Sequence, residues 1–270
     1  MRMQRFVSIA SIGVATAIMS GLAGCQTSSL GRRQFKMMSQ TEMSQMGVAA
    51  FAGISKQTPP SRDVIANATV ACIANAITRN LTGVNARTGW EVRVFADDTP
   101  NAFALPGGKI GVNTGLLKVA RTQGQLAAVI GHEVAHVLAG HSNERASTQL
   151  ATSGALEAMK ALSGPASPAK SRTLAVLGAG ARVGVILPFS RAQESEADVL
   201  GLDLMARAGF DPRQGPVLWE NMGRLGGQPP EILSTHPSSD SRIGALHERV
   251  KIALPLHQQA RASGKRPRCG

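Results

Sequence analysis

The 270-residue chain contains no tyrosine and only three cysteines, and its 17 acidic residues are outnumbered by 29 basic ones. Without tyrosine, any active site in the chain must take its hydrogen-bond donors from other side chains. Three cysteines limit the chain to one intramolecular disulfide. The formal charge of +12 favours contact with anionic surfaces. No apolar run reaches the roughly 20 residues that a membrane-spanning helix needs.

The N-terminus has the layout of an export signal. Two arginines precede an apolar run over residues 6–21, which is too short to cross a bilayer and is typical of a signal peptide. Residues 22–25 read Leu-Ala-Gly-Cys, a match to the lipobox of bacterial lipoproteins, with an ordinary signal peptide as the alternative. We therefore predict cleavage before Cys25 and a lipid anchor on it. Gln26 favours the outer membrane, on the periplasmic face, by resemblance to Gram-negative lipoproteins.

The export signal also restricts the partners and the cysteine chemistry. An exported protein does not meet genomic DNA, so we expect no nucleic-acid partner; anionic lipid, cell-wall polymer or solubility would explain the positive charge. The acid-free tail over residues 256–270 is predicted to be disordered. With Cys25 lipidated, Cys72 and Cys269 can form a disulfide in an oxidising compartment. Cys72 equally suits a buried free thiol, because it lies on the apolar stripe of a predicted helix.

The most informative stretch is His132-Glu133-Val134-Ala135-His136, within a predicted helix over residues 122–141. Histidines four apart lie on one face of a helix and can bind one metal ion, while Glu133 stays free to handle water. Gly131 has no side chain, so another element can approach closely there. Two helical histidines without a metal are the alternative, and a third ligand would decide between the two.

His141 is one candidate for the third ligand. It misses the metzincin spacing, and nine residues of uninterrupted helix would put it on the face opposite His132. We predict instead that His141 lies near the negative end of the helix dipole.

A second helix, predicted over residues 190–208, is the better source of the third ligand. Glu194 and Asp198 are four apart and share one face, whereas Glu196 points about 200° away. One of the two carboxylates can bind the metal while the other holds a ligand imidazole by its free N–H. A solvated acidic helix face is the alternative.

Together the two motifs resemble the gluzincin metallopeptidase family of HtpX, CAAX prenyl and OMA-type proteases, in particular its periplasmic lipoprotein branch of BepA and LoiP. Residues 100–117 and 235–243 also resemble segments of that family, in the same order. The resemblance covers about residues 60–250. It implies that Glu194 is the third zinc ligand and that Asp198 supports the site.

The resemblance also implies a mechanism. One Zn²⁺ would be held by His132, His136 and Glu194, with Glu133 as general base. The oxyanion donor cannot be tyrosine, so His236 and Arg242, in the family-like segment, are the candidates. A neutral His236 can instead occupy the open zinc position and hold the enzyme latent. An edge strand would bind extended substrate through the main chain at Asn101, Ala102, Phe103 and Ala104.

The function predicted from these features is a lipid-anchored zinc endopeptidase that degrades unfolded or misassembled envelope proteins. A chaperone or assembly factor using the same groove is the alternative, although a pure binder has no need of Glu133. A structural metal site with His236 as a permanent fourth ligand is the third interpretation.

The predicted fold class is α+β, predominantly helical, with a zincin-type domain and a small β-sheet beside the active-site helix. The predicted regions are a signal peptide at 1–24, a lipidated tether and short helix at 25–60, the metallopeptidase domain at 61–255 and a basic tail at 256–270. The remaining predicted elements are helices at 39–55, 60–81, 217–225 and 239–253, strands at 91–96 and 109–113, and two helical pieces within 146–187.

Overall fold

One buried helix organises the fold. The computed structural model describes residues 25–163, 189–223, 231–236 and 240–270. Helices dominate and two small sheets accompany them, which confirms the α+β, predominantly helical class. The strands are β1 (Cys25–Thr27), β2 (Arg33–Phe35), β3 (Glu91–Phe95), β4 (Ala102–Leu105) and β5 (Lys109–Asn113). The helices are α1 (Gln40–Gln57), α2 (Val64–Thr78), α3 (Thr114–Val119), α4 (Gln123–Ala139), α5 (His141–Ser163), α6 (Arg191–Arg207), α7 (Gln214–Gly223), α8 (Glu231–Thr235) and α9 (Asp240–Ala262), with a 3₁₀ turn at Gly83–Arg87.

Helix α4 is the buried central helix, and almost all of its side chains are inaccessible to solvent. It begins where the Thr122 hydroxyl accepts a hydrogen bond from the Gln125 N–H at 3.1 Å. It ends at Gly140, whose φ of 70° is left-handed, a conformation that glycine adopts at little cost. The predicted helix over residues 122–141 therefore stops early, and His141 begins α5.

Two glycines let α6 pack directly on α4. A Cβ on Gly131 would lie 2.8 Å from the Gly201 carbonyl oxygen, and a Cβ on Gly201 would lie 2.8 Å from the His132 nitrogen. Neither position has room for a side chain. The close approach anticipated at Gly131 is therefore observed, and it brings the acidic residues of α6 against the histidines of α4. Helix α6 begins with a capping box formed by Ser190 and Gln193, in agreement with the predicted start of this helix at residue 190.

The second sheet has three strands in the order β3-β5-β4, with β5 parallel to β3 and antiparallel to β4. Strand β4 is therefore an edge strand, as expected for this segment. Helix α1 packs across the β4–β5 turn, where Gly47 leaves no room for a Cβ beside Pro106. The Phe51 ring of α1 also meets Phe95 and Phe103 edge-on, with ring centroids 5.9 and 6.4 Å apart. The α1 contact leaves β4 free to run along α4.

The segment predicted as a tether is instead a β-hairpin, so that prediction was wrong. Strands β1 and β2 pair in antiparallel register over residues 25–35. The buried Gln34 amide donates to the Ala139 carbonyl at 2.9 Å, and the Lys36 ammonium lies 3.4 Å from the same oxygen. Carbonyls at a helix C-terminus have no partner within the helix and attract positive charge. The hairpin therefore closes the C-terminal end of α4.

The basic tail is ordered, contrary to the prediction of disorder. Helix α9 continues to Ala262, well past the predicted end at residue 253, with Pro255 inside it. Beyond it, Cys269 forms a disulfide with Cys72 of α2, which decides between the disulfide and the free thiol. The Cys269 N–H also donates to the Gln123 side chain at 3.0 Å. The prediction of disorder used only the charge of the tail, which carries no information about this disulfide.

Two sequence predictions fall outside the residues that the structure describes. They are the signal peptide over residues 1–24 and the second helical piece over residues 174–187. Within the described part of the chain, no helix combines the length and apolar character required to cross a membrane.

Candidate metal centre

The two histidines of α4 and Glu194 of α6 meet in the interior, and a third histidine joins them. His132, His136, Glu194 and His236 each offer one nitrogen or oxygen atom, and these four atoms lie within 4.8 Å of one another. All four residues are at least 98% buried. His236 follows α8, and its N–H donates to the Ile232 carbonyl at 2.8 Å. The three predicted ligands are thus brought together, with His236 as a fourth.

The spacing of the four atoms fits one zinc ion. His132 Nε2 lies 3.0 Å from His136 Nε2 and 3.2 Å from His236 Nδ1. Glu194 Oε1 lies 3.3 Å from His136 Nε2 and 3.0 Å from His236 Nδ1. Tetrahedral zinc with bonds of about 2.0–2.1 Å requires ligand atoms about 3.3 Å apart. Three imidazoles and one carboxylate are also ligands that zinc prefers.

The electrostatics of the cluster favour a cation. Burial opposes charge on His132, but the carboxylates of Asp198 and Glu194 outweigh it and raise the pKa of His132 to about 9. Burial likewise opposes ionisation of Glu194, yet hydrogen bonds from the surrounding histidines hold its pKa far below the usual range. Burial lowers the pKa of His136 well below its ordinary value. A dication would complement the buried carboxylates of Glu194 and Asp198.

On one side of the cluster, Asp198 and Arg242 stand behind His132. Asp198 Oδ1 lies 3.1 Å from His132 Nδ1, without the alignment of a good hydrogen bond. The Arg242 guanidinium donates to both Asp198 oxygens, at 2.5 and 2.8 Å, and lies 2.6 Å from Glu194 Oε2. It also stacks 4.3 Å from the Trp219 ring centroid. Arg242 therefore neutralises the carboxylates of Asp198 and Glu194. These contacts occupy its guanidinium, which conflicts with the predicted role of Arg242 as an oxyanion donor.

On the other side, His141 and Glu196 stand behind His136, and sequence reasoning assigned neither of them to the site. His141 Nδ1 lies 2.8 Å from His136 Nδ1, and His141 Nε2 lies 3.2 Å from Glu196 Oε2. Burial lowers the pKa of His141 to about 4, so its ring is neutral near pH 7. The prediction of a dipole-facing His141 was wrong because the chain turns at Gly140. Glu196 does not join the four-residue cluster, as expected, but its side chain is buried against His141 rather than solvated.

Glu133 lies beside the cluster and faces the edge strand. Burial raises the pKa of its carboxyl group, while a hydrogen bond from the Ala104 backbone opposes the shift. Its Oε1 atom lies 3.4 Å from His236 Nε2 and has no hydrogen bond within the described residues. The predicted substrate strand is thus in contact with the predicted base. The Phe103 side chain does not face Glu133: its ring stacks on the Phe95 ring, with centroids 6.0 Å apart. The Phe103 ring also packs against Gly111, where a Cβ would have no space.

A histidine pair with an intervening glutamate on a buried helix, and a glutamate on the next packed helix, define a zinc metallopeptidase centre. Residues 65–250 match the model of Peptidase family M48, and the chain belongs to that family. Members of the family use zinc. The resemblance inferred from the motifs is therefore confirmed.

Relatives include both mitochondrial and bacterial proteins. Mitochondrial metalloendopeptidase OMA1 of Schizosaccharomyces pombe is 43% identical over 162 residues, which cover 59% of this chain and 46% of that protein. The Beta-barrel assembly-enhancing protease of Escherichia coli is 33% identical over 184 residues, which cover 64% of this chain and 37% of that protein. Human mitochondrial metalloendopeptidase OMA1 is 30% identical over 237 residues, which cover 85% of this chain and 45% of that protein. The chain spans less than half the length of each.

Proposed function

We propose that this protein is a zinc-dependent endopeptidase, anchored by a lipid on Cys25 to the periplasmic face of the outer membrane, that hydrolyses unfolded or misassembled envelope proteins. The observation that carries the proposal is a buried glutamate, Glu133, held between a zinc-compatible cluster and the backbone of the edge strand β4. A binding protein has no use for a buried carboxylate beside a metal site. Its desolvation is unfavourable unless the group is functional or paired.

His132, His136 and Glu194 would hold the zinc ion, which would polarise a peptide carbonyl and acidify water. Glu133 would accept the proton of the attacking water and pass it to the leaving amine. Burial raises the pKa of Glu133 above its ordinary value, a direction that favours acceptance of a proton from water. Asp198 would keep the His132 ring oriented.

His236 is proposed as the group that holds the enzyme latent. Its Nδ1 atom lies within the cluster of ligand atoms, where it would compete with substrate. Release of the ring would also free its Nε2 atom, 3.4 Å from Glu133, to act as an oxyanion donor. We expect His236→Ala to raise basal cleavage several-fold. Lower cleavage with no change in the resting state would assign His236 to the oxyanion instead.

Substrate would bind as an added strand on β4. Among the described strands β4 pairs only with β5, so a substrate strand would pair along the other edge of residues 101–104, where Glu133 already contacts the Ala104 backbone. Pairing through the main chain tolerates many sequences but requires an extended segment, which unfolded proteins offer and folded proteins do not. The Escherichia coli relative is named for enhancing beta-barrel assembly, and this supports envelope proteins as substrates.

The lipid anchor is tested by labelling cells with radioactive palmitate. Wild-type protein should take up label and fractionate with the outer membrane, whereas Cys25→Ala should do neither. Label retained by Cys25→Ala, or membrane association without label, would contradict the lipoprotein assignment.

The activity is tested by incubating the zinc-loaded, detergent-solubilised protein with casein. Glu133→Gln serves as the matched control, because it keeps the shape and removes the base. We expect cleavage by the wild type and loss of about 10³-fold or more in the variant. Cleavage by neither protein, even with His236→Ala added, would favour the chaperone alternative. Equal cleavage by both would contradict the mechanism.

A further inference from the structure

The N-terminal hairpin supplies an arginine to the interior of the metallopeptidase domain. Arg32, immediately before strand β2, donates from Nε to Glu196 Oε2 at 2.9 Å. Its two terminal nitrogens form a fork with both oxygens of Glu144 of α5, at 2.6 and 2.7 Å. Arg32 thereby links the hairpin, α5 and α6. It lies outside residues 65–250, which the family model matches.

The carboxylates that Arg32 contacts are held firmly in place. The Glu196 side chain is only 3% exposed, whereas the Arg32 side chain is 25% exposed. Glu196 Oε2 lies 2.9 Å from Arg32 Nε and 3.2 Å from His141 Nε2, and Ser28 also forms a hydrogen bond with this carboxylate. Ser28 and Arg32 both belong to the hairpin, so the hairpin contributes two of the three groups that contact the Glu196 carboxylate. A buried carboxylate needs such hydrogen-bonding partners to keep its place in the interior.

The contact with Arg32 fixes the direction of the hydrogen bonds that follow. Arg32 Nε can only donate, so Glu196 Oε2 is an acceptor, and a neutral His141 ring directs its single N–H from Nε2 to that oxygen. His141 Nδ1 then carries a lone pair, and His136 Nδ1 must carry the proton that is shared between them. His136 Nε2 is left with its lone pair facing the cluster, the tautomer that binds a metal. The chain of contacts thus runs from the hairpin to a ligand atom.

We propose that Arg32 is a positioning residue for the metal ligand His136, acting through Glu196 and His141, so that the N-terminal hairpin completes the metal site. The inference rests on the proposed function only in that the cluster binds zinc. Without Arg32, Glu196 would lose a charged partner and could turn toward solvent. His141 would then have no fixed acceptor, and His136 would be free to take the tautomer that cannot bind.

The test measures metal binding without any substrate. Zinc dissociation constants are obtained by competition with a chromophoric chelator for the wild type, Arg32→Ala and the neighbouring control Arg33→Ala, whose side chain is exposed. We expect Arg32→Ala to weaken zinc binding by about tenfold, within the range found for groups that orient metal ligands. Arg33→Ala should match the wild type. The visible spectrum of the Co²⁺ form should shift in Arg32→Ala only, because the ligand geometry changes there.

A double-mutant cycle tests the route. If Arg32 acts through Glu196, Arg32→Ala combined with Glu196→Gln should weaken zinc binding no more than the worse single variant. Additive effects, or a wild-type zinc constant in Arg32→Ala, would overturn the proposal. Should Arg32→Ala lose its native circular dichroism, Arg32→Lys decides instead. Lysine keeps the charge but cannot contact both carboxylates in this geometry, so a several-fold weaker constant supports the proposal and an unchanged one overturns it.

The readouts separate this inference from the proposed function. A wild type that binds zinc in an Arg32-dependent way but cleaves no casein would leave the inference intact and contradict the peptidase. A wild type that cleaves casein while Arg32→Ala binds zinc normally would leave the peptidase intact and remove the inference.

Discussion

The two histidines of α4 are supported in parallel ways by different parts of the chain. Behind His132 stand Asp198 and then Arg242, both within the residues that match the family. Behind His136 stand His141, Glu196 and then Arg32, which comes from the N-terminal hairpin. Each support ends in a carboxylate paired with an arginine. The Arg242 side chain is only 6% exposed, whereas that of Arg32 is 25% exposed.

This difference separates a permanent part of the site from a removable one. The Arg242 support is enclosed between α6 and α9 and can be lost only if those helices separate. The Arg32 support depends on a hairpin of two three-residue strands, which has no stability of its own. We therefore expect the support behind His132 to determine whether the domain folds. The support behind His136 should instead determine how tightly a folded domain binds its metal.

The largest expected effect is the loss of folding stability in Arg242→Ala. The substitution would leave Asp198 and Glu194 buried without their guanidinium, and breaking a buried pair costs about 3–5 kcal/mol. Arg32→Ala should cost about 1–2 kcal/mol, because the ion pairs of Arg32 are partly solvated. Denaturant unfolding of the zinc-free proteins measures both changes. The control is Arg249→Ala, which removes a more exposed arginine fork between the same two helices, α9 and α6. Equal losses in Arg242→Ala and Arg32→Ala would contradict the distinction.

A second prediction separates stability from metal binding. Cys269→Ser removes the disulfide that fastens the C-terminus to α2, and we expect the free energy of unfolding to fall by about 2–4 kcal/mol. The disulfide contacts neither support, so the zinc dissociation constant of the folded variant should equal that of the wild type. A weaker zinc constant would mean that global stability, and not local support, controls metal binding. The comparison of the two sides would then lose its basis.

Sequence reasoning placed Asp198 beside the predicted metal ligands but gave Arg242 a different role, and it missed the support behind His136 altogether. Helical periodicity put Glu194 and Asp198 on one face, because both lie within a single regular helix. The same periodicity failed for His141, because it assumed a continuous helix through Gly140. It also left Glu196 unassigned, since its partner Arg32 is 164 residues away. Local patterns carry no information about contacts at that separation.

In the fold, too, the elements set by neighbouring residues were predictable and those set by tertiary contacts were not. The start of α6 at its capping box and the β4 edge strand were predictable, because each depends on a few neighbouring residues. The hairpin at residues 25–35 and the ordered tail were not predictable from neighbouring residues. The strands of the hairpin are very short, and the hairpin is held by the contact of Gln34 with the C-terminus of α4. The tail is held by its disulfide to Cys72.

A third prediction compares the two carboxylates by removing charge while keeping shape. Asp198→Asn should weaken zinc binding by about 10–100-fold, because Asp198 contacts the His132 ring directly. Glu196→Gln should weaken it less, because its effect reaches His136 through His141. Asp203→Asn, on the same helix but paired with Arg249, is the control and should leave the zinc constant unchanged. A larger effect at Glu196 would reverse the proposed order of the two sides.

The smallest expected effect concerns how charge holds the hairpin in place. Burial opposes the ionisation of Glu144, but its hydrogen bonds with Arg32, Gln193 and Gln34 lower its pKa below the ordinary 4.5. A lowered folded-state pKa contributes stability above the unfolded value, and this stability is lost as the pH falls through the folded value. The melting temperature of the wild type should therefore exceed that of Glu144→Gln at pH 7, and the gap should shrink below about pH 4.5. Glu248→Gln, at an exposed carboxylate, is the control. A gap that does not vary with pH would mean that the hairpin is held by Gln34 and main-chain contacts, and that the charge on Arg32 serves Glu196 alone.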